Sequence, residues 1–178
     1  MAARVAQTWQ RELLSGYRQE PESVIRPLRA RVQEDLVAVR GIEFASICRH
    51  HLLPFFGSAH IAYAPDGKIT GLSRLGRLVD CLSRRLQLQE TLTRQIVEAL
   101  QAGLRPRGAA CVVEAMHTCM TMRRGRKSSS RIVTAAFSGS ARRNADLRRE
   151  LMALCGQNPP ARRSARKAHR GRRVIASR

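Results

Sequence analysis

The chain has no long hydrophobic run and no apolar leader. None of its 178 residues belongs to a stretch approaching the roughly 18 unbroken apolar residues of a membrane span. The opening residues, MAARVAQTWQRE, lack the apolar core of a signal peptide. These absences argue against a membrane or exported protein and predict a location in the cytoplasm.

Acidic residues and lysines are both scarce. Thirteen Asp and Glu stand against 33 Lys and Arg, a net charge of +20, and only three of the basic residues are lysines. Residues 156–178 carry seven Arg, one Lys and no acid, which leaves +12 on the rest. This excess predicts an anionic partner, either nucleic acid or a phosphorylated small molecule. The preference for arginine either serves bidentate phosphate contacts or reflects the base composition of the genome.

The cysteines do not form a disulfide pattern. There are five, an odd number, and no export signal accompanies them. Free thiols, buried small hydrophobic groups or metal ligands remain as interpretations. The hydrophobic fraction of 43% is enough for one core in one domain.

Hydrophobic periodicity predicts an α+β fold. Helical spacing occurs at 3–16, in a short piece between Pro21 and Pro27, and at 75–86, 92–100 and 146–154. Strand-like segments are 35–48, read as a strand or a hairpin around Gly41, and 59–64, 111–116 and 131–137, with an interruption at 54–57. This order of elements favours an antiparallel sheet backed by two central helices.

Histidine and cysteine cluster in two segments that could hold a metal. Cys48 and His51 have a Cys-x-x-His spacing, and Cys119 could complete the set from a neighbouring strand. Three protein ligands with an open fourth position are typical of catalytic zinc, which lowers the pKa of a bound water towards about 7. His50 and His117 would then remain for proton transfer. The alternative is that both are ordinary exposed or hydrogen-bonded strand residues.

Two further patterns suit a nucleotide. The Glu90 carboxylate, beside Gln89, could accept two N–H bonds from a guanine edge, or could simply lie at a helix end or in an exposed ion pair. Arginines lie on one helical segment and in one loop, where they either bind phosphates or are solvated. These basic residues are Arg74, Arg77, Arg84 and Arg85, then Arg123, Arg124, Arg126 and Lys127.

Four sequence blocks together resemble GTP cyclohydrolase I. They are CRHHLLPF at 48–55, GLSRLGR at 71–77, QLQETLT at 87–93 and EAMHTCM at 114–120. The blocks occur in that family's order and spacing, and the resemblance extends over residues 4–154.

The resemblance implies a zinc enzyme that hydrolyses GTP to 7,8-dihydroneopterin triphosphate and formate, the first step of tetrahydrofolate and pterin biosynthesis. It also implies the tunnelling fold, in which subunits join into an oligomeric barrel, with two pentamers stacked as a decamer and active sites between subunits. The implied zinc ligands are Cys48, His51 and Cys119. The implied catalytic residues are His50, His117 and Ser73, and the implied substrate-binding residues are Gln89, Glu90, Arg74, Arg77 and Arg123. We divide the chain into an N-terminal helical segment (1–34), a catalytic domain (35–155) and a disordered Arg-rich tail (156–178).

Departures from the family pattern leave two alternatives open. The family has Glu at the position of Arg49 and Gly at the position of Arg124, and the Arg-rich tail has no counterpart. One alternative is a paralogue that applies the same or altered ring-opening chemistry in 7-deazapurine or other specialised metabolism. The other is a non-catalytic relative that binds polyanions through the tail.

Overall fold

A five-stranded sheet positions the residues singled out above. The computed structural model describes residues 1–29, 36–122 and 130–156. The strands in chain order are β1 (Pro27–Arg29), β2 (Val37–Cys48), β3 (Pro54–Ala64), β4 (Lys68–Thr70), β5 (Leu86–Gln87), β6 (Gly108–His117) and β7 (Ile132–Gly139). The large sheet has the order β5-β2-β3-β6-β7, and β1 pairs with β4 in a separate two-stranded ribbon.

The helices lie before, between and after these strands. They are α1 (Ala2–Thr8), α2 (Pro21–Val24), α3 (Leu72–Ser83), α4 (Gln89–Leu104), α5 (Thr118–Thr121) and α6 (Ala145–Leu154). A π-helical turn (Trp9–Leu13) and 3-10 turns (Ser15–Arg18, Ser140–Arg142) complete the list. None of the helices in the described ranges combines the length and apolar character needed to span a bilayer.

The predicted α+β class is confirmed, with three local differences. Residues 37–48 form one continuous strand rather than a hairpin, because a bulge with Gly41 at φ +70° absorbs the irregularity. The interruption predicted at 54–57 was wrong, since Pro54 begins β3, residues 54–57 pair with β2, and residues 55–57 also pair with β6. The sheet is antiparallel except at its edge, where the short β5 runs parallel to β2.

Helices cover one face of the sheet and part of the other. Helices α3 and α4 pack their apolar stripes on the first face, which explains the periodicity of their sequences. Helix α6 covers part of the second face, where Leu151 and Cys155 contact small residues of β3 and β6 such as Ala62 and Ala110. Buried on both sides, β6 is almost continuously apolar from Ala109 to Val113.

The N-terminal segment is attached to the end of α3. The guanidinium of Arg85 donates to the carbonyls of Gly16 (3.1 Å) and Gln19 (2.7 Å), and the Gly16 N–H donates to the Arg84 carbonyl. The domain boundaries predicted at 34/35 and 155/156 stay predictions, because residues 30–35 and 157–178 lie outside the described residues.

Substitution of Gly57 tests the close packing of β3 against β6, and substitution of Gly76 in α3 is the comparison. A Cβ on Gly57 would lie 2.0 Å from the Glu114 carbonyl oxygen and 2.6 Å from the Cα of Ala115, whereas nothing lies within 4 Å of a Cβ on Gly76 in α3. We expect Gly57→Ala to lower the free energy of unfolding by about 1–3 kcal/mol through overpacking. Gly76→Ala should raise it by about 0.4–1 kcal/mol. Urea unfolding measures both, and an undiminished stability for Gly57→Ala would contradict the described strand spacing.

Candidate metal centre and active site

The turn after β2 presents the first pair of candidate ligands. The Cys48 N–H donates to the Leu53 carbonyl (2.8 Å) and the Leu52 N–H to the Cys48 carbonyl (2.8 Å), which closes a tight loop between β2 and β3. Leu52 has φ +54°, a left-handed conformation that is unusual for a non-glycine residue. Within this loop, Nδ1 of His51 lies 4.0 Å from Sγ of Cys48. The Cys-x-x-His spacing therefore places both groups on one side of the turn.

The end of β6 brings a second pair to the same place. His117 pairs with Phe55 in the β3–β6 register, and Cys119 follows in the first turn of α5. The Thr118 hydroxyl donates to the Pro54 carbonyl at 2.6 Å, which fastens the start of α5 to the start of β3. The two segments that the sequence singled out are consequently neighbours in space.

Three ligand atoms converge where these segments meet. One ligand atom from each of Cys48, His117 and Cys119 lies within 4.8 Å of the other two. The sequence predicted His51 rather than His117 as the imidazole ligand, and the structure brings both histidines to the Cys48 thiol. Cys48 and His117 are buried and Cys119 is partly exposed, so the group is open on one side.

The ring of His117 is held on two sides. It stacks on Phe55 with ring centroids 4.4 Å apart and planes 8° from parallel. Its Nε2 lies 2.8 Å from Oε1 of Gln89, in a hydrogen bond that is buried. Burial lowers the pKa of His117, and the negative charge of Glu90 opposes that shift. The uncharged imidazole is therefore favoured at neutral pH.

Gln89 and Glu90 begin α4 at this site. The parallel pairing of Cys48 with Gln87 places the start of the helix beside the turn. The side chain of Gln89 is buried, whereas Glu90 is exposed in the first turn of the helix. Glu90, in contrast to Gln89, therefore presents its side chain to solvent near His117.

The predicted phosphate ligands lie in a different place. Arg74 and Arg77 line a cleft of about 510 Å³ between the N-terminal segment and α3, together with Ser15 and Arg84. Desolvation, followed by the positive charges of Arg26 and Arg77, lowers the pKa of the Arg74 guanidinium. Among the described residues that line this cleft, none belongs to the thiol and imidazole group.

The remaining candidates have varied positions. His50 is exposed in the turn, with its ring centroid 6.0 Å from that of His51, and Ser73 is exposed in the first turn of α3. Arg123 lies outside the described residues. Sequence reasoning assigned no role to Phe55, although this aromatic residue ends the CRHHLLPF block at 48–55.

Comparison with known proteins identifies a family. The family model described as GTP cyclohydrolase I matches residues 1–156. The chain is 46% identical over 149 residues to GTP cyclohydrolase 1 of Chlorobaculum tepidum, covering 83% of this chain and 66% of the relative. It is 48% identical over 154 residues to GTP cyclohydrolase 1 of Thermobifida fusca, covering 85% of this chain and 74% of that relative. A crystal structure of the archaeosine synthase QueF-Like in the apo form aligns at a TM-score of 0.47 and 19% identity, covering 58% of this chain and 93% of that one.

Zinc content tests which side chains hold a metal. We expect Cys119→Ala and His51→Ala to lose most of the zinc, because each removes a donor beside the Cys48 thiol. We expect His117→Ala to retain it, because the Cys-x-x-His spacing assigns the imidazole ligand to His51, whose Nδ1 lies 4.0 Å from the Cys48 thiol. Cys155→Ala is the matched control, since this buried thiol lies against α6 on the other face of the sheet. The measured quantity is zinc per chain, determined by mass spectrometry after dialysis.

Retention of zinc in His51→Ala together with its loss in His117→Ala would reverse the assignment of the imidazole ligand. Retention in Cys119→Ala would contradict the metal centre itself.

Proposed function

The chain belongs to the GTP cyclohydrolase I family of enzymes, and we propose that it hydrolyses GTP to 7,8-dihydroneopterin triphosphate and formate in a zinc-dependent reaction. The observation that carries the proposal is the convergence of Cys48, His117 and Cys119 beside the start of α4. In the cytoplasm, this reaction would begin tetrahydrofolate and pterin biosynthesis.

The donor atoms suit zinc. Thiolate sulfur and imidazole nitrogen are the ligands that zinc prefers in proteins, and none of the five cysteines is in a disulfide. We assign Cys48, His51 and Cys119 as the ligands, which leaves His117 for the substrate. Zinc, when bound with an open position, supplies a water of lowered pKa. Three ligands rather than four are consistent with a catalytic role.

His117 and His50 carry the proton transfers in this proposal. His117 is buried, stacked on Phe55 and favoured in its uncharged form, so it can take up a proton close to the metal ligands. His50 is exposed in the same turn as Cys48 and is assigned to the ribose side of the substrate, with Ser73. Overall one water is consumed, formate leaves, and the ribose carbons close the new ring.

Glu90 is the proposed reader of guanine. Its carboxylate is exposed at the start of α4 and close enough to His117 to influence that residue's pKa. A carboxylate accepts two N–H groups from the N1 and N2 edge of guanine in a planar, bidentate arrangement. A base held there would lie next to the thiol and imidazole group.

The position of the proposed triphosphate ligands supports an active site that is shared between subunits. Arg74 and Arg77 line a cleft apart from the metal group of their own chain, and Ser73 is exposed beside them. A GTP bound at one subunit's metal would then receive phosphate contacts from a neighbouring subunit. We therefore propose a homo-oligomer, a decamer by family resemblance, with Arg123 as a further phosphate ligand.

A product assay tests the proposed reaction. Purified zinc-loaded protein is incubated with GTP, formate is measured, and neopterin is detected by fluorescence after oxidation and dephosphorylation. Formate and neopterin in equal amounts are the expected result. Neither product, from a protein shown to contain zinc and to be oligomeric, would contradict the proposal. Formate without neopterin would show ring opening without reclosure and would favour the paralogue alternative.

Substitutions of two glutamates on α4 distinguish guanine recognition from a general electrostatic effect. Glu90→Ala should raise KM for GTP roughly 10- to 100-fold, because hydrogen bonds to a charged group contribute about 1.5–3 kcal/mol each. Zinc content should not change. Glu98→Ala is the control, because Glu98 lies on the same helix and pairs with the exposed Arg94 at 3.9 Å. Steady-state kinetics measure both, and equal KM values for the two variants would contradict the guanine role.

A further inference from the structure

The side chain of Gln89 has no atom left for a substrate. It is 1% exposed in the isolated chain. Its Nε2 donates to the backbone carbonyls of Val113 (3.0 Å) and Ile132 (2.9 Å) and lies 3.2 Å from the Thr134 hydroxyl. Its Oε1 lies 2.8 Å from Nε2 of His117. The amide is thus enclosed by β6, β7 and the histidine, and the guanine contact that the family resemblance implied for this side chain has no room.

The partners of Gln89 determine which way its amide faces. Backbone carbonyls only accept hydrogen bonds, so the NH₂ group of the amide must face Val113 and Ile132. A flipped amide would place its oxygen against two carbonyl oxygens. Oε1 therefore faces His117, and because Oε1 also only accepts, Nε2 of His117 must carry the hydrogen. In the neutral ring, Nδ1 then holds the lone pair.

A closed ring of hydrogen bonds fixes Gln89 in turn. The Thr93 hydroxyl donates to the Gln89 carbonyl at 2.7 Å, and the Thr93 and Thr134 hydroxyls lie 2.6 Å apart. Since the Thr93 hydrogen is used, Thr134 must donate to Thr93, and Thr134 then accepts from Nε2 of Gln89. Nε2 of Gln89 carries two hydrogens for three acceptors, so one hydrogen is shared, and the contact to Thr134 is the longest of the three. Buried bonds in such a ring reinforce one another.

We propose that Gln89 is a positioning residue that holds His117 as its Nε2–H tautomer and directs the Nδ1 lone pair towards the reacting groups. The Phe55 stack fixes the plane of the ring, and Gln89 fixes its rotation within that plane. Removing the partner that orients a metal-bound histidine typically costs about 10- to 100-fold in activity, and we expect a loss of similar size for a histidine that transfers protons. This inference rests on the proposed function for its effect on rate, but the tautomer itself is independent of turnover.

Two glutamine-to-methionine variants distinguish an effect on the positioning of His117 from an effect on protein stability. Gln89→Met keeps the length of the side chain and removes all its hydrogen bonds. Gln87→Met does the same to another buried glutamine, whose Nε2 donates to the Leu82 carbonyl and to Oε1 of Gln95, both at 2.8 Å. For Gln89→Met we expect kcat per bound zinc to fall about 10- to 100-fold with KM for GTP little changed. Gln87→Met should lose stability and keep most of kcat.

Rescue and a spectroscopic measurement complete the test. Gln89→Glu keeps an oxygen that can accept from Nε2 of His117, but its second oxygen faces the carbonyls of Val113 and Ile132. It should therefore be less stable than the wild type and recover only part of the kcat lost in Gln89→Met. Solid-state nitrogen NMR of zinc-loaded wild-type protein, labelled at the histidine ring nitrogens, should show His117 as the Nε2–H tautomer. Gln89→Met should show a mixture of tautomers.

Three results would overturn the inference. The first is a Gln89→Met variant with raised KM and unchanged kcat, which would assign the side chain to guanine. The second is an equal loss of kcat in Gln89→Met and Gln87→Met, which would indicate a structural effect alone. The third is an Nδ1–H tautomer for His117 in the wild type, which requires no variant to fold. A wild type that releases no formate would contradict the proposed function and leave the tautomer test intact.

Discussion

The candidate active site depends on the register between β3 and β6. Phe55 pairs with His117 in an antiparallel ladder that continues from there to Ala64 and Gly108 without a shift. A slip of one residue would turn His117 to the opposite face of the sheet and separate Cys119 from Cys48. Gly57 allows the two strands to approach closely near this end of the ladder, and Thr118 fastens the next turn to Pro54. The strand pairing that packs β3 against β6 therefore also brings these chemical groups together.

Around this ladder, buried polar groups orient the site. His117, Gln89 and Thr93 are all buried, and their hydrogen bonds reach across α4, β6 and β7. An unpaired polar group in such a place would be costly, so the network favours a single arrangement. Glu90, one residue after Gln89, turns outward instead. The start of α4 thus presents a buried amide to the histidine and, in the proposed reaction, an exposed carboxylate to the substrate.

Much of this arrangement could be predicted from local sequence. The two helices, the α+β class and the meeting of the Cys48 and Cys119 segments follow from periodicity and from ligand chemistry. The partners of Gln89 could not, because Val113 and Thr134 lie 24 and 45 residues away and carry no motif. The parallel pairing of Cys48 with Gln87 was also missed, because a strand of two residues is too short to show a hydrophobic pattern. The separation of Arg74 from the metal group is likewise a property of the three-dimensional packing alone.

In the proposed enzyme, both thiols and at least one imidazole bind the same zinc. Zinc K-edge X-ray absorption of the purified, zinc-loaded protein tests this most directly. We expect two sulfur neighbours at about 2.3 Å and imidazole nitrogen at about 2.0–2.1 Å, with the shell completed by a lighter atom. A first shell of oxygen and nitrogen alone, or one of four sulfurs, would contradict it.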